Sequence, residues 1–363
     1  MLGGELTRTI VQIANWIFRG KIDRVQVLEF ACGHGRNVRH TVKRFPAGNV
    51  FVSDIYESAV AFNIDQFGVR GRLSVHDPKE LNWDERFDLI VVPSLFSHLP
   101  ESTFAAWIKA LYGLLTDKGA LVFSVHGEHL LAPDVVIPES GIHFLAESES
   151  STLDPQEYGL SYVTEAFVRE QIKTATGSPA YSMTRRGFWQ HQDFYLVAKD
   201  DECEVAKFRY DRGMVARISE IKLDESGELV VSGWAKETHQ AQNEGVAVRV
   251  YLDDQKVGET TTFESRPDVA RIWNNQDFTD TGFTVRVPSL PPSRTRSSLL
   301  VVEVVSRAHR EYIHVLPLGE YMPEPSHAEE AMPQPSHAEE DMPQPSRPLW
   351  QRILNRSRRL VHS

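Results

Sequence analysis

From the amino terminus to about residue 201, short apolar runs alternate with stretches whose apolar residues return at helical spacing. Leu6, Ile10, Ile13, Ala14 and Ile17 fall on one helical face just after Gly3-Gly4. Apolar runs predict strands at 25–30, 50–54, 72–75, 87–92 and 120–125, and helices are predicted at 37–45, 57–67 and 101–115. A turn is expected at Asp117-Lys118-Gly119. Alternation of this kind predicts an α/β domain, a mostly parallel doubly wound sheet with helices on its faces. A long loop comes next at 128–156, then a helix at 165–174 and a hairpin of 180–185 with 193–198 that closes the sheet. Loops of that length inside a compact domain are commonly lids or binding segments, so acceptor recognition is expected there.

From about 208 to 317 the pattern changes to short alternating segments at 215–223, 228–235, 246–252, 282–287, 299–305 and 311–315, without helix-length periodicity. Gly, Pro and Asp punctuate them, which predicts an antiparallel β-sandwich of immunoglobulin-like type as a separate domain. Trp234 reads as a core aromatic, and Arg266-Pro267-Asp268-Val269-Ala270 as a turn entering a short helix without chemistry of its own. Beyond Leu318 comes a decapeptide repeat, YMPEPSHAEE, AMPQPSHAEE and DMPQPSRPLW. Proline-rich copies bury no core and predict an extended linker, in which His327 and His337 have no scaffold to form a metal site. The expected organisation is a catalytic domain at 1–205, the sandwich at 206–318, the linker at 319–346 and a tail at 347–363.

Charge and cysteine content narrow the function classes. The chain has 363 residues with 39 Lys and Arg against 50 Asp and Glu, a net charge of −11 that disfavours non-specific nucleic-acid binding. Two cysteines, Cys32 and Cys203, exclude a disulfide framework and a four-cysteine zinc site, and a cytoplasmic location is the default expectation. No run approaches the ~20 apolar residues that cross a bilayer, and no leader is expected. The tail is the exception to the acidic balance: Arg347, Arg352, Arg356, Arg358 and Arg359 flank Trp350, Ile353, Leu354, Leu360 and Val361 at helical spacing. That pattern fits an interfacial helix on the anionic inner face of the cytoplasmic membrane, a dock for a partner enzyme, or a disordered basic end.

The stretch VLEFACGHGRNVRH carries the candidate chemistry. A buried strand runs into Glu29, then a loop with Gly33 and Gly35, then a helix whose first-turn amides face the loop. A dinucleotide would want a third glycine where Val38 stands, so nicotinamide cofactors are disfavoured. A ligand without phosphates needs only close backbone approach at two glycines and an acid to meet a cationic amine, for which Glu29 is placed. Cys32 reads as a small lining residue, not a nucleophile.

Together with four segments further along the chain, this stretch resembles the class I S-adenosylmethionine-dependent methyltransferases. The first motif reads Glu29-Phe30-Ala31-Cys32-Gly33-His34-Gly35, the second-strand acid matches Asp54 in FVSDIYESAV, and the adenine-side acid matches Asp77 in LSVHDP. FDLIVVPSLFSHLP and LLTDKGALVFSVHG match the fourth- and fifth-strand motifs, so the likeness covers about residues 1–200. It implies S-adenosylmethionine as cofactor, held by Glu29, Phe30, Ala31, Gly33, Gly35, Asp54, Ile55, His76, Asp77 and Pro93, with Asp54 taking both ribose hydroxyls. Asp77 also fits a simple Asp-Pro turn. Val92-Pro93-Ser94-Leu95 replaces both the acidic ligand of metal-dependent catechol members and the Asn/Asp-Pro-Pro-Tyr of amino-methylating members, so neither chemistry nor a metal is expected. The FSHLPE and SVHGE pair is similar to methyltransferases encoded among bacterial surface-polysaccharide genes, which implies a glycan hydroxyl as acceptor.

A sugar hydroxyl is a poor nucleophile and gains from a general base, a role suited to histidine. His126 and His98 stand at the carboxyl ends of the fifth and fourth strands, where open α/β sheets bind ligands. His126 is the expected base, whereas His98 also fits a loop-fixing role; Glu128, His143, Tyr158, His191 and Asp193 are weaker candidates. Two rivals remain: a small-molecule or lipid methyltransferase of the same fold, and a non-catalytic scaffold that keeps the fold alone.

Overall fold

The computed structural model describes residues 2–321 apart from 133, 149, 151, 179, 201, 224–227, 254, 292–293 and 308–309. The expected linker, save its first three residues, and the basic tail lie outside the described residues, as do His327 and His337. The described chain forms two compact units, one of residues 6–209 and the other of residues 210–321 together with residues 2–5.

The first unit takes in α1 (Leu2–Ile17) from Leu6 onward, and Leu6, Ile10, Ile13 and Ala14 are buried on the anticipated face. Its sheet is built from β1 (Val27–Phe30), β2 (Val50–Asp54), β3 (Arg70–Leu73), β4 (Phe87–Val92) and β5 (Leu115–Gly127), parallel in the order β3-β2-β1-β4-β5. Every residue of β1 and β2 is buried, as a parallel strand covered on both faces requires. The crossovers carry α2 (Val38–Thr41), α3 (Glu57–Phe67) and α4 (Glu101–Gly113). Because β1 is flanked by β2 on one side and β4 on the other, the connections diverge above its carboxyl end, the place where open α/β sheets form a ligand-binding crevice.

Past β5 come β6 (Ile142–Leu145), β7 (Leu160–Val163), α5 (Glu165–Thr176), β8 (Ser182–Phe188) and β9 (Gln192–Ala198). β9 runs antiparallel to β5 and pairs with β8, closing the sheet with the hairpin expected from sequence. Leu28, Phe30, Phe96, Phe104 and Phe123 belong to one core beneath the strands.

Several expected elements differ. The helix expected at 37–45 is reduced to α2, because the backbone then tightens into bonds from Lys43 N to His40 O and from Arg44 N to Thr41 O, ahead of Pro46. The strand expected at 72–75 lies two residues earlier as β3, where register with β2 sets it; its exposed Arg70 and Arg72 hide it from apolar patterning. The expected turn at 117–119 is a bulge inside β5, whose pairing with β4 skips from Leu115 to Ala120. The long loop contains β6, which pairs with β7, and β7 continues the ladder at the end of β5 with His126 opposite Tyr162.

The second unit has two four-stranded antiparallel sheets. One is built from β10 (Met214–Leu223), β11 (Leu229–Glu237), β14 (Glu264–Ser265) and β15 (Asp280–Val287); the other from β12 (Ala247–Leu252), β13 (Gln255–Thr260), β16 (Leu299–Val305) and β17 (Arg310–Pro317). Leu229, Val231 and Phe283 of the first sheet share a hydrophobic cluster with Val248, Val250 and Val302 of the second. Trp234 is buried in a smaller cluster with Val269 and Phe278, beneath α6 (Pro267–Trp273). Arg266 forks onto Asp268 at 2.8 and 2.7 Å to hold the turn that enters α6, the structural role anticipated for that segment.

Candidate active site

Leaving β1, the backbone takes left-handed conformations at alternate residues: φ is 59° at Ala31, 53° at Gly33 and 72° at Gly35. The three positions of the motif are therefore set by one loop shape, and Ala31 adopts it despite its Cβ. At Gly35 a Cβ would lie 2.5 Å from both Asn63 Oδ1 and Phe67 Cε2, so close packing on α3 demands glycine, whereas a Cβ at Gly33 would meet open space. Asn63 pins the loop from beneath, donating from Nδ2 to Gly33 O and to Ala59 O, each at 2.7 Å. With α2 only four residues long, it is loop amides and not a helix terminus that line this edge.

Asp54 ends β2 and is nearly buried. Its Oδ2 accepts the Gly33 N–H at 2.8 Å and its Oδ1 accepts the Tyr56 N–H at 3.0 Å. A carboxylate has about four lone-pair sites, so each oxygen retains one for a ligand. Glu29 sits within β1, 1% exposed, with the Asn37 and Thr41 side chains alongside as its polar neighbours, too poorly aligned for either carboxylate oxygen to make a well-formed hydrogen bond within the protein. Burial pushes its carboxyl up to about 8. An orphaned buried carboxyl beside a glycine loop is suited to a cationic group that would restore its charge.

The remaining expected contacts divide. Ile55 is half-buried beside Asp54, and Pro93 is buried directly after β4. The Phe30 side chain is in the core, 5.4 Å from Trp107 and 6.4 Å from Trp83 by ring centres, so only its backbone reaches the loop. His76 and Asp77 are exposed beyond β3, and Asp77 Oδ1 accepts Lys79 N at 2.9 Å to cap a short turn, the alternative role of an Asp-Pro pair. The Cys32 thiol is pushed up by burial and by Asp54 and Glu29, which makes it inert as a nucleophile.

At the ends of β4 and β5, aromatic and imidazole rings gather. His98 is buried, donates from Nδ1 to Gly159 O at 2.7 Å and stacks on Tyr158 with ring centres 4.6 Å apart. His126 lies 6.3 Å from His98, 5.5 Å from His191 and 5.4 Å from Tyr162 by ring centres. Burial, then the neighbouring His191, His98 and His129, lowers the His126 imidazole to about 3. Its Nε2 meets Gln192 Nε2 at 3.1 Å. Such a group is a poor proton acceptor at neutral pH, which runs against the expectation that His126 is the base. Asp193 takes Arg186 N at 2.7 Å and stands 3.6 Å from His129 Nδ1. Of the weaker candidates, Tyr158, His191 and Asp193 join this cluster, His143 lies opposite Tyr162 on β6, and Glu128 faces solvent.

Sequence reasoning missed Gln192, His129, Tyr162, Ser94 and Ser124. A polar residue opening an apolar run, Gln192 before Phe194 to Val197, was the signal available. It also missed Tyr56, whose hydroxyl hydrogen-bonds Ser150 Oγ at 2.6 Å and Thr152 Oγ1 at 2.8 Å, tying those two residues to the Asp54 edge. No His/Cys/Asp/Glu cluster among the described residues has a metal-binding arrangement, and no described helix is long and apolar enough to cross a membrane.

Residues 27–119 match the family model of the methyltransferase domain. Among solved structures, the chain is similar to an S-adenosylmethionine-dependent methyltransferase from Clostridium acetobutylicum, at 15% identity and a TM-score of 0.38 over 53% of this chain and 90% of that one. It is also similar to magnesium protoporphyrin IX methyltransferase from Synechocystis with bound SAH, at 15% identity and a TM-score of 0.36 over 54% and 84%. A sugar N-methyltransferase from Streptoalloteichus matches at 13% identity and a TM-score of 0.37 over 55% and 87%. No curated protein matches the chain.

Proposed function

We propose that the chain, an S-adenosylmethionine-dependent methyltransferase with a methyltransferase domain at residues 27–119, takes an oxygen as its acceptor, specifically a sugar hydroxyl of a bacterial surface glycan. The observation that carries the oxygen reading is His98, a buried imidazole whose Nδ1–H is committed to the Gly159 carbonyl, so that in the neutral ring the basic lone pair is on Nε2.

Bound S-adenosylmethionine supplies an electrophilic methyl group on a positively charged sulfur. In our reading Glu29 meets the amine, and the backbone of Phe30, Ala31, Gly33 and Gly35 lies along the amino-acid portion. Asp54 takes the ribose hydroxyls with its two remaining lone-pair sites, beside Ile55. His76, Asp77 and Pro93 flank the base. The orphaned oxygens of Glu29 and the open space at Gly33 support this fit. His98 Nε2 takes the acceptor's hydroxyl proton, and the neighbouring rings of Tyr158, Tyr162 and His191 exclude water while the acceptor is aligned.

We read the second unit as a β-sandwich accessory domain, because both of its sheets contribute to one core. The protein is proposed to work on the cytoplasmic side, reaching the membrane face or a partner enzyme through its basic tail. Incubating the full chain with S-adenosylmethionine and a panel of nucleotide sugars, oligosaccharides, isoprenoid quinones and catechols tests the acceptor class. Release of S-adenosylhomocysteine with one methyl gained by a sugar is the expected result. Turnover on a quinone or catechol alone would replace the glycan reading, and tight cofactor binding with no turnover on the panel would favour the scaffold.

A further inference from the structure

Gln192 opens β9 with its side chain buried against β5, and its amide meets three polar partners. Oε1 receives the Ser124 hydroxyl at 2.7 Å and the Ser94 hydroxyl at 3.2 Å, while Nε2 lies 3.1 Å from His126 Nε2. Ser124 is fully buried and its Oγ already accepts the Ser94 N–H at 2.9 Å. Its own hydroxyl hydrogen therefore has Gln192 Oε1 as its acceptor. A flipped amide would place a second donor on the serine hydroxyls and strand their hydrogens in a buried site, at the cost of an unmade hydrogen bond. Ser94 is held for this contact in a left-handed conformation, φ 63°, a strain commonly stored at functional sites.

With the amide oriented this way, Gln192 Nε2 is the donor and His126 Nε2 the acceptor, so the ring proton is on Nδ1. That nitrogen is buried and has no hydrogen-bond partner within the protein. We propose that Gln192 is a positioning residue that holds His126 in the Nδ1–H tautomer, making His126 a hydrogen-bond donor to an oxygen of an acceptor that displaces the groups now covering Nδ1, and leaving proton removal to His98. The donor role rests on the proposed oxygen acceptor; the tautomer does not. Groups facing His126 are His98 from the loop after β4, Tyr162 from β7, His129 from the turn after β5, and His191 and Gln192 at the start of β9. None of these is a carboxylate that would draw a second proton onto the ring. His126 consequently stays neutral across the working pH range, where its tautomer decides what it offers a ligand.

Long-range proton–nitrogen NMR on histidine-labelled full-length protein, with His126 assigned by its loss in His126→Gln, reads the tautomer directly and without turnover. The expected spectrum shows a protonated Nδ1 and an unprotonated Nε2. Gln192→Met keeps the shape and removes the donor, so the Nδ1–H preference should be lost. Ser94→Ala, which frees one side of the amide, should give a mixture while retaining the glutamine. In turnover, Gln192→Met should raise the KM for the acceptor about tenfold, the worth of roughly one hydrogen bond, with the cofactor Kd unchanged. It should leave the pH profile of turnover unmoved. An Nε2–H tautomer in the wild-type protein, or an unchanged tautomer and KM in Gln192→Met, would overturn the inference. Nδ1–H in the wild type without turnover on any hydroxyl acceptor would instead count against the proposed reaction and the donor role, leaving the tautomer assignment in place.

Discussion

Asp54 Oδ2 accepts the main-chain N–H of Gly33 at 2.8 Å, which joins the end of β2 to the loop after β1 across 21 residues of sequence. The second-strand acid thus shapes the glycine loop as well as facing the crevice.

Asp54→Ala should therefore do two things at once. Losing the ligand hydrogen bonds should weaken S-adenosylmethionine binding by ~10²-fold or more. Orphaning the amides of Gly33 and Tyr56 should also lower stability by about 1 to 3 kcal/mol. Titration calorimetry and thermal denaturation on the same preparation separate the two effects, and unchanged affinity would mean that the cofactor site lies elsewhere.

Glu29 predicts a pH dependence. Its carboxyl titrates near 4.5 when solvated and is raised by burial to about 8 in the fold. Between those values the folded chain keeps a proton that the unfolded chain has released, so this group's contribution to stability is present below 4.5 and is lost as pH rises toward 8. Glu29→Gln should flatten the stability profile over that window in urea unfolding. If Glu29 meets the cofactor amine as a carboxylate, binding near neutral pH should also release a proton in the wild type and none in Glu29→Gln. Calorimetry in buffers of different ionisation enthalpy measures that difference.

Two small residues in one loop should respond in opposite ways. Gly35→Ala meets Asn63 and Phe67 and a φ of 72°, so a loss of about 2 kcal/mol or more, roughly 4 to 8 °C in Tm, is expected. Ala31→Gly releases left-handed strain of about 1 kcal/mol against a similar gain in unfolded-chain freedom, and should leave Tm and cofactor affinity nearly unchanged. Differential scanning calorimetry on the pair checks the loop geometry without any substrate.

His98→Ala should lower kcat by ~10² to 10⁴ with cofactor affinity retained. His126→Ala should act mainly on the acceptor KM. Steady-state kinetics in both variants tests this division of labour, and the reverse pattern would return the base to His126.

Much of this architecture is legible in the residue pattern alone. β2, α3, β4 and β16 run over the expected residues because each is an apolar or amphipathic run bounded by a turn signal. β3 is displaced because an edge strand carrying Arg70 and Arg72 has no apolar signature, and its register follows β2. β6 is four residues inside a long polar segment, and its pairing with β7 is a tertiary fact. At the candidate site, motif spacing singled out Glu29, Gly33, Gly35 and Asp54, each of which stands in a strand or in the left-handed loop that follows it. The division of roles proposed for His98 and His126 is not legible in the sequence, because it rests on burial and on partners distant in sequence: Gly159 for one, Gln192 for the other.

The segment tied to Tyr56 through Ser150 and Thr152 also carries Tyr158 and Gly159, which stack on and orient His98. One stretch of chain thus joins Tyr56, two residues past Asp54, to His98. If it lifts away from Tyr56 far enough to carry Tyr158 and Gly159 with it, the imidazole loses the ring it stacks on and the carbonyl that fixes its tautomer. With His98 as the proposed base, proton removal would then be coupled to the seating of this stretch: lifted, it leaves the chain no organised base, and readiness for an acceptor would come only with Ser150 and Thr152 back on Tyr56.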